Sequence, residues 1–513
     1  MNKFRFRRAV CLLLSAAALL LSLSACSRED FNMFFGIEKM PQNIDPQKAS
    51  SYSELLTVRN CFKGLTRLLP NGDAELDIAG GYTVSDDGLM YTFALKEGLT
   101  WSDKSDVTAD DFVFAFERAS NPDTKAPQAD LLNNIDSVSA DDRLTVVFRL
   151  KKADQNFLAR LTNPVFMPCS RTFFEKCGGK YGLSQKYIIT NGNFRVKSWS
   201  DGSFVRLVRV TAGSKKQSVA NSVYLSVSAK GKDCVSRVAD KEVGMTVDSG
   251  SFIYSKDISS LSSSSEYRTA YAIVFNKDTA VGSNKNITDA FAMAVHREYY
   301  MSRCSKEIRN TASVFPDDAT ICGRDISELI TVPQYIYNYD PEAARSSFLK
   351  GVSELNKKTF PSVEILAVDD PASRSVLNDV VSKWQSDLGA YVNIKTVKDT
   401  AALSSLVSNG DYTVAFIPMP TDAVEAAKAL ASGGSIHIGN DELDKAVSKI
   451  DDTKPVDEIS SHINDAALIL SGTSQVIPII STPTTLLWDK KYQNVTYFKT
   501  DMTVDFSAIY KIG

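Results

Sequence analysis

Two patterns of apolar positions divide the chain. From residue 32 to 267, short runs alternate apolar and polar side chains, as in Met90 to Leu95, Leu144 to Leu150 and Phe204 to Val210. A period of two is typical of strands that are buried on one face, and the Asn-Gly and Asp-Gly pairs between runs favour tight hairpin turns. We therefore predict that this half is mostly antiparallel sheet.

One helix interrupts these predicted strands. Thr108 precedes an apolar stripe that contains Phe112 and Phe116, with an acidic residue three positions after the threonine, and Pro122 ends the segment. This arrangement predicts a helix that is N-capped by Thr108. The serine-rich stretch 259–265 then predicts a crossing segment or an exposed loop.

After the serine-rich stretch, predicted strands and helices alternate. The predicted strands are 271–275, 363–368, 392–397, 412–417 and 476–480, and the predicted helices are 288–302, 341–351, 371–388, 401–408, 423–431 and 456–470. Alternation of this kind implies parallel strands joined by helical crossovers. Because ligands bind at the carboxyl ends of such strands, we expect contacts in the loop 418–422.

The N-terminus has the pattern of an export signal. Basic residues between positions 3 and 8 precede an apolar run, 9–23, that is too short to be a stable membrane span. The sequence Leu23-Ser-Ala-Cys26 then resembles the bacterial lipobox. We predict a signal peptide at 1–25, a lipid on Cys26, a tether at 26–32 and a place at the cell membrane on the extracytoplasmic face. The alternative is an ordinary secretory signal with an incidental cysteine.

Composition excludes several classes of protein. The 58 Lys+Arg and 61 Asp+Glu nearly balance, and removal of the signal leaves a mildly acidic chain without a basic patch, so no nucleic-acid partner is expected. The scarcity and spacing of His and Cys give no support for a metal site or cofactor. Besides Cys26, six cysteines remain in the mature chain, either paired or as buried thiols: Cys61, Cys169, Cys177, Cys234, Cys304 and Cys322.

Catalytic motifs are mostly missing. The nucleophile-elbow, zinc-protease, P-loop and dinucleotide-binding patterns do not occur. Ser347 to Lys350 fits the S-x-x-K spacing of some serine hydrolases, but the other motifs of those enzymes are absent. We therefore expect a binding protein without catalytic residues, and an exported serine hydrolase is a distant alternative.

Three segments together resemble the solute-binding proteins of peptide and nickel ABC transporters. They are Ser85 to Gly98, Trp101-Ser-Asp103 and Val107 to Arg118. Further segments similar to the family occur along the whole mature length: Asn43-Ile-Asp-Pro46, Phe62-Lys-Gly-Leu65, Asn191-Gly-Asn-Phe194 with Trp199, Ile287 to Arg297, Tyr339 to Ala344, Trp384 to Val392, and Val476-Ile-Pro478.

The resemblance implies an α/β fold of the two-lobed periplasmic-binding-protein type (type II), with an extra subdomain inserted in the first lobe. It divides the chain into a first lobe (33–60, 187–267 and 480–513), an inserted subdomain (61–186) and a second lobe (268–479). It implies a monomer that closes by a hinge on a peptide and delivers it to a membrane permease with its ATPases. A diverged member that binds a non-peptide small solute is the alternative.

The resemblance also suggests site residues. Ser50, Ser51 and Tyr52 align with a family segment that pairs its main chain with a bound peptide, although Tyr52 could equally pack on its own lobe. Peptide-binding members carry a Trp and then an amine-pairing Asp after the strand that here is 412–417. This chain has no Trp there, and its nearest acid, Asp422, comes a few positions late. It could instead cap a helix. The remaining candidates in this loop are Phe416, Pro418 and Met419.

Overall fold

The computed structural model describes residues 31–200, 202–210, 219–228, 233–248, 259–356 and 359–512. The predicted signal peptide, 1–25, and the predicted lipidation site, Cys26, lie outside these residues. Among the helices of the described ranges, none combines the length and apolar character needed to span a bilayer.

Strands and helices alternate along most of the described chain. The strands are β1 (Phe31–Gly36), β2 (Thr66–Leu68), β3 (Ala74–Leu76), β4 (Ala79–Val84), β5 (Met90–Leu95), β6 (Ile135–Asp142), β7 (Thr145–Leu150), β8 (Phe194–Ser200), β9 (Phe204–Arg209), β10 (Ala220–Ser226), β11 (Met245–Asp248), β12 (Leu261–Phe275), β13 (Arg309–Asn310), β14 (Thr320–Ile321), β15 (Arg324–Asp325), β16 (Val363–Val368), β17 (Val392–Val397), β18 (Val414–Pro418), β19 (Val476–Asp489), β20 (Tyr492–Gln493), β21 (Thr496–Tyr497), β22 (Val504–Asp505) and β23 (Tyr510–Lys511).

The α-helices are α1 (Tyr52–Cys61), α2 (Ala109–Ser120), α3 (Phe157–Arg160), α4 (Arg171–Lys176), α5 (Cys234–Ala239), α6 (Lys285–Met293), α7 (Arg297–Met301), α8 (Pro341–Glu354), α9 (Pro371–Leu388), α10 (Thr400–Ser408), α11 (Ala423–Leu430), α12 (Asp441–Val447) and α13 (Val456–Ser471). Short 3-10 helices lie at Pro122–Thr124, Ala129–Leu132, Pro164–Phe166 and Ile326–Glu328.

Within the described residues, eleven strands form one mixed sheet. Ten follow the order β17-β16-β18-β12-β19-β11-β1-β10-β9-β8, and β13 pairs with β19. Strands β16, β17 and β18 are parallel, as their alternation with helices predicts. Strands β4 to β7 form a separate antiparallel sheet in the order β4-β5-β7-β6, in agreement with the period of two in the first half.

The long antiparallel strands β12 and β19 join the two halves of the large sheet. The first part of β12 pairs with the last part of β19 next to β11, whereas the last part of β12 pairs with β18. Their register shifts between Glu266 and Thr269, which lie between these two parts.

Of the two alternatives for the serine-rich stretch, the crossing segment agrees with the structure and the exposed loop does not. Residues from Leu261 onward belong to β12. The hydroxyl groups of Ser264 and Ser265 hydrogen bond with those of Tyr497 and Thr485 at 2.7 and 2.8 Å. Pairing with β19 therefore overrides the preference of serine for turns.

Buried apolar side chains form three clusters. The first draws on residues between 31 and 247 and between 486 and 509, and the other two draw on residues between 270 and 480. From here on, the first lobe is the part of the described chain built around the first cluster, and the second lobe is the part built around the other two.

Two predicted helix boundaries are wrong. The predicted helix 288–302 is two helices, α6 and α7, and His296 caps the second by accepting a hydrogen bond from the Tyr299 amide at 3.3 Å. The helix expected to end at Gly351 continues to Glu354. Gly351 instead lies where α8 packs closely on α6, since a Cβ atom there would lie 2.5 Å from Ile287 Cγ1.

We expect Gly351→Ala to destabilise the protein by about 1–2 kcal/mol, because overpacking at Ile287 exceeds the gain in helix propensity of about 1 kcal/mol. The measurement is urea unfolding. Ser346→Ala, on the exposed side of the same helix, is the control and should leave stability almost unchanged. An alanine at position 351 that stabilises the protein would contradict this packing argument.

Candidate functional site

A cavity of about 450 Å³ lies between the two lobes. The first lobe lines it with α1, the β2–β3 hairpin and residues near α3, and the second lobe lines it with the β14–β15 turn and the start of α11. Ligand cavities in proteins usually measure about 300–1,000 Å³, so this one has the size of a small-solute site.

The lobes also contact each other directly near this cavity. Asn156 Nδ2 donates hydrogen bonds to the carbonyl oxygens of Asp452 and Lys454 at 3.0 and 2.7 Å. At a second contact, a Cβ atom on Gly72 would lie far inside van der Waals distance of the Gly323 carbonyl oxygen. The backbones of the two lobes therefore approach each other closely at Gly72 and Gly323.

Asp422 lies at the wall of the cavity and caps α11. Its Oδ1 accepts hydrogen bonds from the amides of Val424 and Glu425 at 2.9 and 3.1 Å. Its Oδ2 accepts no hydrogen bond from the part of the chain that the structure describes. Burial raises the pKa of Asp422 to about 6, and the Glu425 carboxylate adds to this effect. The cap role considered from the sequence is confirmed.

The wall around Asp422 carries excess negative charge. Burial raises the pKa of Glu425, and the carboxylate of Asp130 from the first lobe raises it further. The Arg160 guanidinium bonds to Asp154 at 2.9 Å, and Lys428, which lies 4.0 Å from Asp452, offsets part of this charge because it lowers the pKa of Asp422 and Glu425. The site therefore favours a positively charged group near Asp422.

The candidates of the first lobe form the start of α1. Ser51 is its N-cap, and Glu54 Oε2 accepts hydrogen bonds from the amides of Ser50 and Ser51 at 3.1 and 3.0 Å. The Tyr52 hydroxyl donates to the Met502 carbonyl oxygen at 3.2 Å. In the described residues, these three side chains lie outside the lining of the interlobe cavity.

Two of the other candidates of the second lobe, Phe416 and Met419, are packed into its core, and Pro418 is half-buried. Phe416 is 1% exposed and stacks on Tyr271 with ring centroids 5.2 Å apart. Met419 is 3% exposed, and its amide donates to the Ala270 carbonyl oxygen at 2.8 Å. Pro418 pairs with Tyr271 at the end of β18. Of the candidates in this loop, the structure places only Asp422 in the cavity wall.

Sequence reasoning missed one ion pair and one hydroxyl at the cavity. Arg59 Nε donates to Asp501 Oδ2 at 2.7 Å. Burial by itself would raise the pKa of Asp501, but Arg59 and Thr503 lower it overall. The Thr500 hydroxyl is buried without a hydrogen-bond partner in the described residues. No sequence signal links Arg59 with Asp501, because 442 positions separate them.

Other chemistry has little support in the described residues. They contain no group of three or more His, Cys, Asp or Glu side chains that could hold a metal. The six cysteines of the mature chain beyond Cys26 are free thiols. Lys350 of the S-x-x-K match is exposed on α8, next to a half-buried Ser347.

Comparisons with known proteins agree along nearly the whole chain. Residues 73–435 match the family described as bacterial extracellular solute-binding proteins, family 5. A dipeptide-binding protein of Lactococcus lactis subsp. cremoris is 25% identical over 548 aligned positions, which cover 96% of each chain. Two solved structures, OppA of Listeria monocytogenes bound to peptide and OppA of Haemophilus influenzae in complex with RPPGFSPFR, both superpose with a TM-score of 0.72, at 21% and 19% identity. They cover 94% of this chain and 100% and 99% of their own.

The match to the family spans well over half of the chain, and the solved structures share its two-lobed α/β fold. The fold class implied by the sequence is therefore confirmed. Family 5 proteins bind solutes and are not enzymes, so the serine hydrolase alternative is wrong. This chain belongs to the bacterial extracellular solute-binding proteins, family 5.

Proposed function

We propose that this protein captures peptides in the cavity between its lobes for an ABC importer. The observation that carries the proposal is Asp422, whose half-buried carboxylate caps a helix with one oxygen and has a second oxygen without a hydrogen bond from the described residues at the cavity wall. The α-amino group of a peptide would supply the missing charge and donors. Its relatives are named as dipeptide-binding and oligopeptide-binding proteins, and these names also support a peptide as the ligand.

The remaining candidates have different parts in this proposal. Phe416 and Met419 support the loop from within the core, and the half-buried Pro418 ends β18 beside them, so the start of α11 is held in place. Ser50, Ser51 and Tyr52 form a neighbouring wall that a ligand reaches while the lobes are apart. Main-chain pairing with a peptide strand has little room at these residues, because Glu54 accepts from the amides of Ser50 and Ser51 and the Ser51 carbonyl oxygen accepts from the Leu55 amide at 2.9 Å.

Capture also requires that the lobes move. We propose that β12 and β19 act as the hinge, with bending at the register shift between Glu266 and Thr269, and that the domain boundaries follow the ranges predicted from the sequence. A ligand that binds only when the lobes meet shifts the equilibrium toward the closed form.

We expect Asn156→Ala to favour the open form, because it removes two hydrogen bonds between the lobes, each contributing about 0.5–1.5 kcal/mol. The measurement is the radius of gyration of the ligand-free protein by small-angle X-ray scattering, which should increase. Asn134→Ala is the control, since its side chain bonds to the Lys152 carbonyl oxygen within the first lobe at 2.9 Å. Equal radii for the two variants would contradict a role of Asn156 in closure.

Placement at the membrane follows from the N-terminal sequence. We propose that residues 1–25 are removed, that a lipid on Cys26 holds the monomer on the extracytoplasmic face, and that residues 26–32 form the tether. Several acyl chains at about 0.8 kcal/mol per buried methylene would hold it firmly. The closed form would then dock on a permease whose ATPases are cytoplasmic.

The first test is peptide retention. The delipidated mature protein is incubated with a mixed peptide pool, washed and denatured, and the retained molecules are identified by mass spectrometry beside a thermal melting curve. We expect retained peptides and a higher melting temperature, because a ligand at a hundredfold excess over Kd stabilises by about 2.7 kcal/mol. An empty protein with unchanged melting would instead favour a non-peptide solute.

A further inference from the structure

The strands that cross between the lobes carry a bulge. Tyr267 and Arg268 on β12 lie together opposite a single residue of β19, Pro483. Two residues that face one form a β-bulge, and proline lacks the amide hydrogen that a strand ladder uses. The ladder is therefore interrupted between the part of β12 beside β11 and the part that pairs with β18.

The chain on the two sides of this bulge is tied to different lobes. Before the bulge, the Tyr497 hydroxyl of the first lobe donates to Glu266 Oε1 at 2.7 Å. Within the bulge, the Thr421 hydroxyl of the second lobe donates to the Arg268 carbonyl oxygen at 3.0 Å. Movement of one lobe against the other therefore bends the chain next to Arg268 and changes the surroundings of its side chain.

The guanidinium of Arg268 is poorly compensated where the lobes touch. Its Nε atom is buried without a hydrogen-bond partner in the described residues, and no carboxylate among them forms an ion pair with Arg268. Burial lowers the pKa of Arg268, although the carboxylates of Asp501, Glu266 and Asp318 oppose this shift. These acids therefore offset only part of the cost of taking the charge out of water.

Charges of both lobes act on this side chain. Asp501 belongs to the first lobe and Asp318 to the second, so Arg268 lies between groups that move apart when the lobes open. Water that enters between the lobes can then accept from the Nε–H group. Because a buried donor without an acceptor costs free energy, this cost belongs to the closed arrangement.

The three acids do not depend on Arg268 for their hydrogen bonds. Each of their carboxylates accepts from another donor: Arg59 Nε for Asp501 at 2.7 Å, the Tyr497 hydroxyl for Glu266 at 2.7 Å, and the Tyr267 amide for Asp318. Replacing the Arg268 side chain therefore leaves none of these carboxylates without a partner.

We infer that the Arg268 guanidinium opposes closure of the empty protein, because closing the lobes buries its Nε–H group without an acceptor. This inference rests on the hinge of the proposed function and adds the residue that shifts its equilibrium toward the open form. A bound ligand has to overcome this cost, so the closed form is populated mainly when the cleft is occupied.

The test is Arg268→Met, which places a methyl group at the position of Nε. We expect the closed-to-open ratio of the ligand-free protein to rise about tenfold. The radius of gyration from small-angle X-ray scattering should decrease, opposite in direction to Asn156→Ala, and calorimetry should show tighter binding of trialanine. Arg195→Met, an exposed arginine on β8 of the first lobe, is the control and should behave as the wild type.

A second variant keeps the charge. Arg268→Lys puts a methylene group where Nε lies, and it should also decrease the radius of the ligand-free protein, while melting curves confirm that both variants are folded. If either variant leaves the radius unchanged, or weakens trialanine binding as the loss of a ligand contact would, the inference is wrong. The scattering experiment needs no ligand, so if the radii decrease and no peptide binds, the proposed function alone is wrong.

Discussion

Replacing Gly72 by asparagine is expected to hold the two lobes apart and to lower peptide affinity at least tenfold. Gly72 has φ +89, a left-handed conformation that asparagine tolerates better than other residues with a side chain. Its new Cβ atom would collide with the carbonyl oxygen of Gly323 across the cleft, and backbone cannot move aside as a flexible side chain does. The closed form would become less populated, and apparent affinity falls in proportion to that population.

Small-angle scattering with and without peptide, together with calorimetry, measures this effect. Gly98→Asn is the matched control, because Gly98 has φ +72 and a Cβ atom there would meet nothing within 4 Å. The control should close on peptide as the wild type does. If the Gly72 variant closes on peptide as the wild type does, the lobes can close without the close approach of Gly72 to the Gly323 carbonyl oxygen.

Replacing Asp422 by asparagine should lower affinity for peptides with a free N-terminus by roughly 30-fold to several thousandfold. Loss of one partner of a buried, hydrogen-bonded charge pair costs about 2–5 kcal/mol. Asparagine is also a good N-cap, so the bonds to the amides of Val424 and Glu425 can be kept. The fold should therefore remain intact while the charge is lost.

Stability should respond to pH in a defined direction. Because burial raises the pKa of Asp422 to about 6, the folded wild type prefers the protonated acid. The contribution of Asp422 to wild-type stability, measured as the difference from Asp422→Asn, should fall as pH rises from about 4 to 6, by at most about 3 kcal/mol, and then level off. Asp422→Asn should lack this decline and be the more stable protein above pH 6. A bound ammonium would lower the pKa, so wild-type affinity should weaken as pH falls below about 6.

Calorimetry with free and N-acetylated peptides distinguishes loss of the Asp422 pairing with the peptide amine from a loss of affinity for all peptides. Acetylated peptides should bind the wild type and the Asp422 variant equally. Asp340→Asn is the control, since Asp340 caps α8 by accepting from the Ala343 amide at 2.9 Å and is exposed. If both peptide forms bind the Asp422 variant as tightly as the wild type, another group must anchor the amine.

Local patterns in the sequence predicted many elements to the residue. The alternation in Met90–Leu95 is β5, and Val363–Val368 and Val392–Val397 are β16 and β17. Thr108 precedes α2 as its N-cap, and Asp422 precedes α11. These elements depend on neighbours in the chain, namely side-chain periodicity and capping, and both can be read directly.

Elements that depend on distant partners were predicted less well. The serine-rich start of β12 is a strand because β19 pairs with it more than two hundred residues later in the chain. Gly351 does not end its helix, because its lack of a side chain serves packing on α6. In both cases tertiary contacts decided what local preference left open.

By itself, the sequence determined the order of the elements, the helix caps, the two-lobed fold class and the family, because periodicity, capping and motif spacing are properties of neighbouring residues. Only the tertiary structure decided where the candidate binding site lies. It placed Asp422 at a cavity wall while burying Phe416 and Met419 in the core, and it brought Arg59 to Asp501 across most of the chain length. The physical reason is that a cavity, its charge balance and a buried carboxylate's pKa depend on which surfaces meet, and that is set by the packing of the two lobes.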